Sequence, residues 1–282
     1  MPQIGEGERI FLEAGARQSA RADGRGALDL RHLVLRKGVV DFANGSALLE
    51  RAFTSAQVLA CVKLEVVDLE DSRNAGNEDV HFDVSVDCTA IEAREEDASL
   101  RKLRDYARYL GEMLEEQLQE MVSGQGHLLE VIPGKFSWMV NLDVVVLGTD
   151  GNLPDLISLA AYAALCDARM PSIEIMDSEG GTKDFQVDSD PQGAKPLPRQ
   201  LLDSVPIRVS LFRIAETMLV DVSEDEDLCS SLAMSVLVNR RGSLCGSHID
   251  RAGCIPLVEV GAHLATACQI GAELFKLLDA NL

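Results

Sequence analysis

The chain has 282 residues, 46% of them hydrophobic, enough for a sizeable core in one large domain or two small ones. Its 46 acidic against 26 basic residues give a formal charge of −20. Phosphate affinity rests on Lys and Arg, so this balance excludes nucleic-acid binding over a broad face. It leaves local contact, or contact shared with a more basic partner.

Seven cysteines, at 61, 88, 166, 229, 245, 254 and 268, form no CxxC, and their number is odd. They are expected to be free, packed thiols of an intracellular protein rather than a disulfide framework. The histidines show no zinc-type spacing, so no metal or cofactor is expected. The start, MPQIGEGERIFLEAG, lacks the apolar core of a signal peptide, and no run reaches transmembrane length, so no membrane contact is expected.

In chain order, Glu8 to Ser19 has helical character. Arg21-Ala22-Asp23-Gly24-Arg25-Gly26 is a turn followed by the strand-like LRHLVLRKGVVDF. Asn44-Gly45-Ser46 has the composition of a hairpin turn. Ala47 to Val67 reads as two strands reversing at Ser55-Ala56-Gln57, and Asp68 to Glu78 as a charged loop. Val80 to Cys88 alternates, as a half-buried strand does. Leu103, Ala107, Leu110, Leu114, Leu118 and Met121 recur at steps of three and four, which predicts an amphipathic helix over Leu100–Met121. A short strand is expected from His127 to Ile132.

The centre of the chain is VNLDVVVLGTDGNLPDLISLAAYAALCDARMP, from Val140 to Pro171. Val140 to Leu147 suits a strand buried on both faces. Gly148 to Asn152 is turn chemistry, and Pro154 fits the first turn of a helix. Leu156 to Cys166 is apolar nearly all round, so that helix is expected to be enclosed by protein. Free N–H groups at such a turn can bind anions, but Pro154 lacks a donor and Asp155 repels negative charge, which makes a weak phosphate cradle.

Beyond it, Ser172 to Met176 reads as a strand and Asp177 to Asp203 as a hairpin followed by an exposed connection. Val205–Ile214, Thr217–Val222, Leu232–Val238 and Gly242–His248 read as strands. Pro256 to Leu278 reads as a second long helix with Leu257, Val260, Leu264, Ile270, Leu274 and Leu278 on one side. A sheet-then-helix unit thus occurs twice, which makes the fold class α/β.

Asp221, Glu224, Asp225, Glu226 and Asp227 could hold Mg²⁺ or act as acid and base, or could be a solvated loop capping a helix that begins near Leu228. His248 beside Asp250, and His263, have no nucleophile placed by the sequence; Trp138 suits packing better than base stacking. Arg101, Lys102, Arg104 and Arg108 crowd the first half of the Leu100–Met121 helix, with Glu112, Glu115, Glu116 and Glu120 in its second half. This order opposes the helix dipole at about 0.3–1 kcal/mol per exposed charge. Arg101 with Asp105, and Arg108 with Glu112, are expected to pair, and a solvated face remains one reading of these charges.

Three stretches resemble the RNase PH family. Arg21-Ala22-Asp23-Gly24-Arg25 followed by Leu30-Arg31 resembles its opening (R)xDGRxxxxxR signature. Ile132-Pro133-Gly134-Lys135, Trp138 and the central stretch resemble the inert ring subunits of the RNA exosome, and SEGGTKDFQVDSDP at 178–191 is similar to the eukaryotic branch numbered component seven.

The resemblance implies an RNase PH-like α/β fold with two sheet–helix units in one compact domain. Residues 1–20 would be a helical extension, 21–176 the first unit, 177–203 the hairpin and connection, and 204–282 the second unit. It also implies a hetero-hexameric ring with other RNase PH-like subunits, RNA-binding cap subunits above it, an associated nuclease, and RNA in the pore. The expected location is nucleus and nucleolus, and also cytoplasm. In active relatives a Gly-Gly-Thr/Ser-Arg turn binds phosphate; it aligns with Gly151-Asn152-Leu153-Pro154, which lacks the hydroxyl and the Arg. The relatives' carboxylate pair aligns with Asp221 and Asp227, a vestigial pair if no phosphate binds. Basic residues near the start of the long helix face the RNA path in the family, which implies phosphate contacts from Arg94, Arg101, Lys102, Arg104 and Arg108. The expected function is a non-catalytic ring subunit. The alternatives are a phosphate-dependent 3′–5′ exoribonuclease and an acidic α/β interaction protein without an RNA role.

Overall fold

A computed structural model describes residues 4–69, 82–92, 97–122, 125–177, 183–188, 190, 193–251 and 253–281. Its larger sheet runs β1 (Leu33–Lys37), β2 (Gly45–Arg51), β3 (Gln57–Asp68), β6 (Phe136–Gly148) and β4 (Phe82–Asp87), with the short β5 (Glu130–Ile132) also on β6. Neighbours in this sheet are antiparallel except β4, which lies parallel to β6. The long helix α2 (Asp97–Val122) packs on β4, and α3 (Leu153–Asp167) packs on β2, β3 and β6.

The expectation that Val140–Leu147 is buried on both faces is wrong. Val140, Leu142, Val144 and Val146 are buried, while Asn141, Asp143, Val145 and Leu147 are half-buried or exposed. The cause is the antiparallel pairing with β3: helices cover one face of this sheet, so its strands alternate. Trp138 packs in the core. Asn44-Gly45-Ser46 is not a hairpin turn either. Gly45 already belongs to β2, and a Cβ there would lie 2.4 Å from the backbone of Ala168, so contact with the end of α3 explains the glycine. The chain turns at residues 38–44 instead. The stretch before β5 forms a short 3₁₀ turn, Gly126–Leu128. Most of the predicted charged loop, together with Val80, falls on residues 70–81, outside the described residues.

The smaller sheet is antiparallel in the order β12 (Thr217–Val220), β11 (Ile207–Ile214), β13 (Leu232–Val238), β14 (Leu244–Arg251). Between the two large sheets' strands, β7 (Arg169–Met170) pairs with β10 (Lys195–Pro196), β8 (Ile173–Asp177) pairs with β9 (Lys183–Val187), and α4 (Arg199–Ser204) leads into β11. The last helix, α6 (Leu257–Asn281), buries Ile270, Leu274, Phe275 and Leu278 against β11 and β13. Its predicted apolar side holds only over this later part. Leu257 and Val258 are almost fully exposed, and Val260 and Leu264 are half-buried, because the helix overshoots the sheet at its start. The first helix, α1 (Glu6–Arg17), sets Ala16 into a separate small cluster with Phe212, Ile214 and Leu219.

Helix α3 is the common element. Leu153 and every residue from Asp155 to Leu165 are buried, as the all-round apolar pattern predicts, and the helix touches β11 as well as the larger sheet. Its two buried polar residues mend an edge of the second sheet. Strand β12 pairs with β11 only from Leu211 onward, which leaves the earlier N–H groups on that side of β11 without a strand partner, while its other side pairs with β13 from Ile207 to Arg213. Ser158 Oγ accepts the N–H of Arg208 at 3.0 Å, and the Asp155 carboxylate accepts the N–H of Ser210 at 2.8 Å and its hydroxyl at 2.6 Å. Gln117 of α2 donates to Ser158 Oγ at 3.0 Å and to the Pro206 carbonyl at 2.8 Å. The seven cysteines are all free thiols.

Asp155→Ala is therefore expected to orphan two buried donors of Ser210 at once. Each orphan costs about 1–3 kcal/mol, so urea unfolding should show a loss of several kcal/mol; a loss under about 1 kcal/mol would contradict the assigned role.

Candidate functional site

The residues of the opening signature converge on Asp221, the residue after β12. Arg31 donates from Nη2 to one Asp221 carboxylate oxygen at 2.7 Å and from Nε to the other at 3.1 Å, and its backbone N–H adds a third bond at 2.7 Å. Arg51 Nη2 lies 3.0 Å from the carboxylate and Arg25 Nη1 3.4 Å. Asp221 is held at φ 46°, a left-handed backbone that orients its side chain into this cluster. Arg21 pairs with Glu226 and donates to the Val220 carbonyl at 2.9 Å.

Burial alone would raise the Asp221 pKa, but Arg51 and Arg31 outweigh it and hold the carboxyl down at about 2. Arg51 shows the cost of the same arrangement. Wholly buried, it is lowered to about 10 by desolvation, with Arg31 acting in the same direction and Asp221 opposing. Attraction and desolvation offset one another in such a cluster, so its net stabilisation is small while the loss of one member is severe.

The turn before α3 is closed by the same arginines. Arg51 donates to the carbonyls of Gly151 at 2.7 Å and Asn152 at 3.1 Å. Arg31 donates to the Asp150 carbonyl at 2.9 Å and its carboxylate at 3.0 Å. Gly151, at φ 70°, is pressed so close that a Cβ would lie 2.4 Å from the backbone of Ser223. The space is filled by protein, and the negative groups it contains are the chain's own. The predicted repulsion by Asp155 is incorrect: that carboxylate points inward to Ser210 and accepts from Asn152 Nδ2 at 2.9 Å.

The acidic run is not a loop ahead of a helix at Leu228. Glu224 to Cys229 is itself the short helix α5, opened by a reciprocal Ser223–Glu226 capping box. Asp227 lies within it, 3.1 Å from Arg251, with its carboxyl raised by burial against the opposing pull of that arginine. Asp221 and Asp227 thus each face an arginine, and no group of three His, Cys, Asp or Glu stands together to hold a metal among the described residues. His248 is exposed, and His263 sits 3.7 Å from Glu259.

Arg101, Lys102, Arg104 and Arg108 are exposed on the first half of α2; Arg94 lies outside the described residues. The expected pairing differs in register. Arg108 reaches back to Asp105 at 3.9 Å instead of forward to Glu112, because long helical side chains lean toward the N-terminus. Arg104 and Arg108 border a groove of about 310 Å³ between α2 and β4, where Leu103, Ala107, Val84 and Val86 form the apolar floor. Arg51 and Arg251 are not among the residues the sequence singles out. An arginine inside the apolar strand GSALLER was the available signal for Arg51; nothing local marked Arg251 as the partner of Asp227.

Replacing Asp221 with Asn leaves Arg31 and Arg51 buried around a neutral group, and is expected to cost about 3–5 kcal/mol. With its pKa depressed from about 3.9 in an unfolded chain, Asp221 stabilises the fold fully above about pH 4, and the contribution disappears as pH falls toward 2. Urea titrations across this range should show that the acid-dependent loss is smaller in Asp221→Asn; equal losses in both proteins would contradict the assignment.

Residues 29–171 match the RNase PH domain described as 3′ exoribonuclease family, domain 1. The chain is 28% identical over 265 residues to exosome complex component Rrp42 of Pyrococcus abyssi, covering 93% of this chain and 90% of that protein. It is 24% identical over 330 residues to a Dictyostelium discoideum protein provisionally named exosome complex exonuclease RRP42, covering 100% and 98%. Its fold is shared with a chain of an archaeal exosome core, with a TM-score of 0.70 at 18% identity over 96% of both chains. A chain of the Archaeoglobus fulgidus exosome with RNA bound to the active site gives 0.69 at 19% identity, over 95% of this chain and 96% of that one. A match across half the sequence, on a fold common to these structures, makes the chain a member of the RNase PH family of 3′ exoribonucleases.

Proposed function

We propose that this chain is a non-catalytic ring subunit of the RNA exosome, in the branch numbered component seven. It closes a hetero-hexameric ring with other RNase PH-like subunits, beneath RNA-binding caps, and lines the path of RNA to a separate nuclease. Nucleus, nucleolus and cytoplasm are its places of work in this reading. Relatives named as exosome components, aligned nearly end to end, support the assembly.

The observation that carries the inert reading is the closed turn. Phosphorolysis needs inorganic phosphate as nucleophile, held by free donors. Here Arg51 and Arg31 are spent on the turn's carbonyls, Asp150 and Asp221. The retained Asp221 and Asp227 favour the rival exoribonuclease reading, but Asp221 is buried among three arginines and has no open face for a substrate proton. Incubated with poly(A), Mg²⁺ and phosphate, the purified chain is expected to release no nucleoside diphosphate above a protein-free control. Measurable release, lost in Asp227→Asn, would establish the rival.

RNA contact is assigned to Arg101 and Arg104, and to Lys102, Arg108 and, outside the described residues, Arg94. Arg101, Lys102 and Arg104 are exposed cations on an acidic chain, placed against the helix dipole. Changing Arg101 and Arg104 to Glu in the assembled complex should flatten the slope of log K against log salt by roughly 1–2 units. An unchanged slope and affinity in an intact mutant complex would reduce both to ordinary surface charge.

A further inference from the structure

Phe53 has a combination of properties that neither packing nor the arginine cluster explains. Its side chain is fully exposed, yet its backbone sits at φ 63°, a left-handed conformation that is an outlier for a bulky residue. The β2–β3 turn holding it is pinned on several sides. Ala52 N–H donates to the His32 carbonyl at 2.8 Å, and Arg51 N–H to the Ala56 carbonyl at 3.0 Å. Thr54 Oγ1 donates to the Arg51 carbonyl at 2.9 Å, and Ser55 Oγ to the Thr149 carbonyl at 2.8 Å. The turn therefore holds the Phe53 backbone in a fixed position with its ring in solvent, at a backbone cost that the isolated chain does not recover. Strain kept in a rigid turn is a mark of preorganisation for contact.

The surroundings narrow the partner. Thr149, which holds the turn, adjoins Asp150, and Asp150 accepts from the backbone N–H of Glu224 at 3.4 Å. Glu224 and Asp225 are exposed on this side, whereas Asp23, at the other side of the arginine cluster, is paired with Arg25 at 2.6 Å. The arginines beneath are turned inward, so the side of the turn next to Thr149, carrying Asp150, Glu224 and Asp225, is acidic. An acidic rim repels a phosphate backbone and attracts Lys and Arg.

We propose that Phe53 is an anchor residue for a neighbouring protein subunit, inserting into an apolar socket rimmed by basic side chains. A buried aromatic at the centre of an interface, ringed by complementary charge, is the usual form of a binding hot spot. The identity of the neighbour as a ring subunit rests on the assembly proposed above; the assignment of Phe53 as anchor rests on the turn and its rim.

The test uses Phe53→Asn, since Asn tolerates the left-handed conformation without the entropy cost of glycine. The isolated variant is expected to melt no lower than the parent chain, and up to a few degrees higher. In native mass spectra of the endogenous complex, the variant should partition at least tenfold more to the free chain than the parent does. Association of the parent with its purified neighbour should slow as salt rises. Full retention of the variant in the complex would overturn the anchor, as would normal assembly with weakened RNA binding, which would make Phe53 a base-stacking residue. Salt-insensitive association would overturn the basic rim. If the parent chain itself joins no complex of RNase PH-like subunits, the ring assignment fails instead; a neighbour of another kind that still releases Phe53→Asn would leave the anchor standing.

Discussion

One carboxylate joins the two halves of this molecule. Asp221 leaves the second sheet just beyond β12, while Arg25, Arg31 and Arg51 approach it from the opening turn and the first sheet. A buried acid shared by buried cations gives little net stability, but it fixes geometry, because no member can move without leaving an uncompensated charge behind. Arg51 and Arg31 then use their remaining donors on the turn that opens α3. That turn, the start of α5 and the end of β12 are held as one unit by two side chains.

The same constraint decides the chemistry. A phosphate-binding turn must leave N–H groups or cations unsatisfied until the anion arrives. Here Arg31 and Arg51 are engaged by the chain's own carbonyls and carboxylates, Arg25 Nη2 alone in the cluster stays buried without a partner among the described residues, and the backbone of Ser223 fills the space against Gly151. Arg31 even donates to the Val222 carbonyl at 2.9 Å. The turn is braced as an internal strut. Beside it, exposed Glu224 and Asp225 and the fully exposed Phe53 make the surface on which the subunit contact is proposed. The exposed cations of α2 lie on a different element from Phe53, so the RNA contact and the subunit contact proposed above fall on separate elements.

How far all this was legible in the sequence varies with the range of the interaction. The helices α2 and α3 were readable because their apolar spacing reports local geometry, and the RNase PH resemblance rested on contiguous motifs. Burial on both faces of β6 was misread because a Val and Leu run does not say whether one face or two will be covered. The acidic run looked like a loop because the capping box at Ser223 and Glu226 was not recognised, although Ser-x-x-Glu stands in the sequence. The inward role of Asp155 is not legible locally, because nothing near it in sequence announces Ser210, 55 residues later. The partners of Asp221 are still farther away, Arg31 by 190 residues, and only the fold brings them together.

In the proposed reading the turn before α3 is filled by protein and takes no phosphate. Titrating the full chain with inorganic phosphate while following the ³¹P line width tests it most directly. No saturable broadening is expected at millimolar phosphate. Saturable broadening that disappears in Arg51→Met, with the fold retained by circular dichroism, would contradict it and restore the turn as a working phosphate site.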